Sequence, residues 1–103
     1  MILVFDADCC LTIFPDVERA ETHLEIVTIE NSHCQICDER GRRFIGEITK
    51  YGALKPDEVC LHTVDHFDPS LPLQFVKNAH DFSSFCPGVT HIAHLKKYLE
   101  DLL

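Results

Sequence analysis

Apolar runs broken by turn-forming residues recur between Leu24 and Ile48, and this stretch predicts an antiparallel meander onto which the helices pack. Ile26, Val27 and Ile29 form one β-rich run, His33 to Cys37 a second and Phe44 to Ile48 a third. In the first run Ile26 and Thr28 share one face of a strand, and Val27 and Ile29 the other. Asn31-Ser32 reads as a turn. Asp38-Glu39-Arg40-Gly41 reads as a tight hairpin loop, because Asp accepts backbone bonds at the start of a turn and Gly takes positive φ near its end. Gly46, inside the third run, predicts a bulge or a close backbone approach. Tyr51-Gly52 closes that strand and Lys55-Pro56-Asp57 turns the chain again. Val59 to Val64 then reads as a further strand, with Val59, Leu61 and Thr63 on one face and Cys60, His62 and Val64 on the other.

The flanks carry different periods. Ile2 to Phe5 is continuously apolar, as in a short strand buried on both faces. Asp6 and Asp8 break the run before Leu11, Ile13 and Phe14. Pro15 suits a first helical turn and Asp16 and Glu18 its positive end, and Val17, Ala20 and Leu24 share a side, which places a helix at about residues 15–24. Asp68-Pro69-Ser70 opens a second helix with Leu71, Phe75, Val76 and Ala79 as its apolar stripe, Pro72 being tolerable only in the first turn. Asp81 to Gly88 reads as a loop anchored by Phe82 and Phe85. Thr90 can cap a last helix that turns Ile92, Leu95, Leu99 and Leu102 to the core and Lys96 and Lys97 away from it.

The resulting order, β-α-β-β-β-β-α-α, predicts an α+β domain of two layers: a mostly antiparallel meander sheet with the helices packed on one face. The other face would carry polar residues drawn from His33, Arg43, Glu47 and His62 and lie open to water or a partner. The chain of 103 residues is expected to form a single domain, residues 1–103, burying about two-thirds of its unfolded surface.

Charge narrows the class of partner. Nine basic against 17 acidic residues give a net charge of −8. Such a surface repels nucleic acid and anionic membrane and attracts basic partners. The basic cluster Arg40-Gly41-Arg42-Arg43 sits at a hairpin tip among acids and does not reverse this. No run approaches the roughly 20 apolar residues of a membrane span, and the opening Met1 to Phe5 lacks the basic start and long apolar stretch of a signal peptide, so a cytoplasmic protein is expected. In that setting Cys9, Cys10, Cys34, Cys37, Cys60 and Cys86 are expected to be free thiols.

Several residue groups could carry chemistry. Cys34-Gln35-Ile36-Cys37 has no second pair to complete a zinc site, and on a regular strand its two sulfurs point to opposite faces. His62 and His66 would lie about 13 Å apart on a strand, too far to share an ion. His91 and His94 on a helix are close enough, but would need further ligands. No metal, cofactor or catalytic residue is expected from these groups.

Val4-Phe5-Asp6-Ala7-Asp8-Cys9-Cys10-Leu11-Thr12 resembles the first motif of the haloacid dehalogenase-like phosphatases. The resemblance implies Asp6 as nucleophile and Asp8 as acid/base, with Mg²⁺ between phosphate and carboxylates. Cys9 and Cys10 stand where that motif has Gly-Thr, and no later aspartate pair completes it.

A second resemblance covers about a third of the chain. Ala20, Glu21, Leu24, Glu25, Ile29, Glu30, Asn31, Asp38, Glu39 and Gly41 are similar to a pattern in small acidic bacterial immunity proteins of contact-dependent and other polymorphic toxin systems. It implies a binding protein without catalysis that neutralises a cognate, basic, nuclease-like toxin by direct contact. Acids expected on turns are the candidates to meet that toxin: Asp38, Glu39, Asp57, Glu58, Asp65 and Asp68. Monomer and homodimer both remain open, since an exposed edge strand could pair with a second copy.

Overall fold

The computed structural model describes residues 1–30 and 33–103; the turn expected at Asn31-Ser32 lies outside them. Its element order is β1 (Ile2–Phe5), β2 (Cys10–Phe14), α1 (Val17–His23), α2 (Ile26–Glu30), β3 (Gln35–Asp38), β4 (Arg42–Thr49), β5 (Glu58–Phe67), α3 (Leu71–Asn78), β6 (Asp81–Ser84) and α4 (Ile92–Asp101). The six strands form one sheet in the order β5-β4-β3-β1-β2-β6. Every described pairing is antiparallel except β2 with β6. The fold is therefore α+β with a mostly antiparallel sheet, and β3-β4-β5 are the last three of the four meander strands expected.

The helices lie on both faces, not one. Leu3, Leu11, Ile13 and Cys37 pack under Leu71 and Phe75 of α3 and Leu95 and Leu99 of α4. Ile2, Val4, Phe14 and Ile36 face the other way, toward Ala20 of α1 and, at the sheet's far side, Val59 and Leu61 of β5. The sheet is thus the middle of three layers. The cause is β1 itself: four apolar residues in succession on a strand with neighbours on both sides need cover above and below.

Three further expectations change. Ile26, Val27 and Ile29 belong to the one-turn helix α2, because the amides of Thr28 and Ile29 return to the Glu25 carbonyl. Helical spacing places Ile26 and Ile29 against the α1-side core and leaves Val27 65% exposed. Tertiary packing has overridden the strand preference of β-branched residues. Asp81–Ser84 is a strand on the outer side of β2, pairing Cys10 with Asp81 and Ile13 with Ser84. α4 is capped at His91, one residue after Thr90, without a side-chain bond.

The turns follow local chemistry. The Asp38 carboxylate accepts from the Arg40 and Arg42 amides at 2.9 and 3.0 Å, and Gly41 has φ +91°. Gly46 is the expected close approach: a Cβ there would lie 2.6 Å from Cδ1 of Ile29. Asp16 caps α1 by accepting from the Arg19 amide at 2.7 Å.

Candidate functional site

The β4–β5 hairpin places the acidic residues. Its register runs from Thr49↔Glu58 at one end to Arg42↔Phe67 at the other. Ten residues of strand, about 30 Å at 3.3 Å per residue, therefore separate two acidic groups. Asp57 and Glu58 lie at the first end. Asp38, Glu39 and Asp68 lie at the second, where the Asp68 amide donates to the Gly41 carbonyl at 2.9 Å. Asp65 is exposed on β5 near that end. The six acids do not form one patch.

They also differ in how free their charges are. Asp38 closes the β3–β4 turn. Glu39 pairs with the Met1 ammonium at 3.1 Å. Asp68 accepts from the Ser70 hydroxyl and amide at 2.6 and 3.0 Å, and these bonds hold its carboxyl below the ordinary range. This end serves the fold. At the other end Asp57 and Glu58 are exposed. Glu58 meets Lys55 at 3.5 Å and the Tyr51 hydroxyl at 3.2 Å, while the Lys55 ammonium sits 3.8 Å over the Tyr51 ring. The hairpin tip is thereby stapled, and Lys55 offsets part of the Glu58 charge.

α1 adds two carboxylates, Glu18 and Glu21, beyond the turn acids expected to meet a partner. A groove of about 530 Å³ runs between α1 and the start of β5, lined by Glu18, Glu21, Thr22, Leu24, Ile26, Asp57, Glu58, Val59 and Cys60. Four of these side chains are acidic and none is basic. Glu21 has a defined bond: its carboxylate accepts from the Leu61 amide at 2.8 Å. Only its proximity to β5 in space, which a helical pattern does not encode, joins it to Asp57 and Glu58. On the opposite side of the sheet the helices stop short of β4 and β5. There Ile45 is 47% exposed, and His62 meets Glu47 at 3.3 Å. Arg43 shares that face but is half-buried, opposite Cys37.

No protein-family model, curated protein or solved structure matches the chain. What the site can do rests on its own geometry.

The Asp6-x-Asp8 motif lies in the β1–β2 hairpin. One Asp6 oxygen accepts from the amides of Asp8 and Cys10 at 2.9 and 3.0 Å, and Cys9 holds φ +60°. Asp6 here shapes a turn. Among the described residues no group of three or more His, Cys, Asp or Glu is placed to hold one metal ion, so these residues do not fit the Mg²⁺ site that the phosphatase resemblance implies. Cys10 lies 3.9 Å from the Asp81 carboxylate, and desolvation together with Asp6, Asp81 and Asp8 pushes its thiol up, away from a reactive thiolate.

Cys34 and Cys37 point to opposite faces, Cys34 packing against the α1-side core and Cys37 buried under α3 and α4. Burial pushes their thiols up to about 11 and about 12. His91 and His94 stand edge to face with ring centres 5.2 Å apart.

Proposed function

We propose that this protein is an inhibitory binding protein of the immunity type, which neutralises a cognate basic, nuclease-like bacterial toxin in the cytoplasm by direct contact. The observation that carries the reading is the groove of Glu18, Glu21, Asp57 and Glu58, with no basic side chain on its walls, on a chain of net charge −8. A concentrated negative field raises the encounter rate with a basic surface and fixes its orientation. Short turns held by their own carboxylates, at Asp38 and Asp68, keep the surrounding frame preformed, so little order is lost on binding. The binding residues of this reading are Glu18, Glu21, Asp57, Glu58 and Asp65; Asp38, Glu39 and Asp68 support the frame. In this reading neither nucleic acid nor membrane is a partner.

The test is co-production with basic nuclease toxins encoded beside it in its source organism. The reading expects protection of the host, and a complex whose association slows roughly tenfold or more between low and physiological salt. Glu18→Lys with Asp57→Lys should slow association by a similar factor while the protein stays folded. Absence of protection and of any salt-sensitive complex would refute the reading.

A further inference from the structure

The outer edge of β5 has a feature that the acidic groove does not require. β5 spans ten residues and borders only β4 among the described strands. In an antiparallel pair alternate residues turn their N–H and C=O groups away from the neighbour. Leu61 is one of these, because its N–H goes to Glu21 and not to β4. Val59 and Thr63, two residues to either side, therefore also direct their backbone groups outward. Folded proteins commonly blunt such an edge with proline, lysine or a very short strand. β6, at the sheet's other side, is short, with four residues. β5 has length and contains neither proline nor lysine, and Glu21 of α1 covers it at Leu61.

The geometry points to strand addition: an extended segment of the partner, carrying lysine or arginine, pairs with the outer edge of β5. This inference rests on the reading that the partner is a basic protein. Charge selects that occupant. Asp57, Glu58, Glu18 and Glu21 stand at one end of the edge and Asp65 near the other. A second copy would bring Glu58, Asp65 and Glu21 of both chains to one seam, and like charges across a strand pair are destabilising. A basic segment meets carboxylates along its length. As its carbonyl takes the Leu61 N–H, the Glu21 carboxylate is released to face one of its cations.

A synthetic peptide of alternating lysine and valine, with a glutamate-for-lysine analogue as control, tests this on the full chain. Hydrogen exchange is followed residue by residue by NMR. The lysine peptide should slow exchange at Val59 and Thr63 by tenfold or more and leave Val76 on α3 unchanged, while the analogue does neither. Thr63→Pro removes an outward donor and no bond to β4, and should weaken peptide binding at least tenfold with the far-UV spectrum retained. If that variant unfolds, the exchange data on the unaltered chain still decide. Salt-sensitive binding of the peptide without protection at Val59 and Thr63 would overturn strand addition and leave the basic-partner reading standing. So would binding of a basic protein that Thr63→Pro does not weaken. Self-association abolished by Thr63→Pro would identify a second copy as the occupant and overturn the inference. Failure of both the peptide and every basic nuclease to bind would remove the functional reading as well.

Discussion

Gly41 and Gly46 show how differently two glycines in one hairpin can matter. At Gly41 the backbone has φ +91°, and a Cβ would collide with the Asp68 carbonyl. Moving Gly41 would open the β3–β4 turn, and moving Asp68 would break its amide bond to the Gly41 carbonyl. Gly41→Ala should therefore cost about 3 kcal/mol or more in urea unfolding. At Gly46 the obstacle is the far end of the Ile29 side chain. Gly46→Ala should cost about 1 kcal/mol, and combining it with Ile29→Ala should cost less than the sum of the two single changes. The buried thiols make a prediction in pH. Cys34 and Cys37 ionise near 9.0 when unfolded but near 11 and 12 in the fold. The folded state thus holds its protons longer. Stability is unaffected below about pH 9 and falls as pH rises from 9 toward 12. Alanine at either position should flatten that alkaline loss in denaturation curves taken across this range, whatever it does at neutral pH.

The contact between α1 and β5 is the clearest joint between elements. Glu21 reaches from helix to strand to accept the Leu61 amide. Glu21→Ala should lower stability by about 1 kcal/mol and speed exchange of that one amide more than of its neighbours. Such joints mark the limit of what the sequence discloses. The Asp38–Gly41 turn, three of the four meander strands, α1, α3 and α4 were legible because each is written in local residues: a turn-forming Asp, a Gly, a repeating apolar spacing. The run at Ile26–Ile29 misled because its β-branched side chains favour a strand, while the space over Gly46 favours a turn of helix that delivers Ile29 there. β6 was invisible because Asp81–Ser84 has only four residues and its partner is β2. The same holds for the site. Asp57 and Glu58 could be read as exposed turn acids, but Glu18 and Glu21 join them only through the packing of α1 on β5.

Over the whole molecule, one surface carries two demands. Glu18, Glu21, Asp57 and Glu58 repel one another across the groove, so the arrangement is worse for folding than a mixed surface would be. Asp57→Lys, which lies outside any helix, should raise folding stability by roughly 0.5 kcal/mol at low salt, the gain shrinking as salt is added, whereas Glu18→Lys also loses a carboxylate from the first turn of α1 and should gain less. In the proposed function Asp57→Lys slows capture of the basic partner. Measuring unfolding and association on Asp57→Lys separates the two effects: stability should rise while capture slows, and a loss on both counts would mean that Asp57 holds the hairpin tip. The parallel strand at the other side of the sheet bears on how the chain reaches this state. The side-chain contact between Cys10 and Asp81 spans 71 residues. Leu11 and Ile13 must wait, with one flank of β2 uncovered, until the last quarter of the chain has been made and has swung back past α3. A nascent or slowly refolding chain should therefore be most prone to stick to its neighbours through β2, and closing that long loop is expected to set the pace of its final assembly.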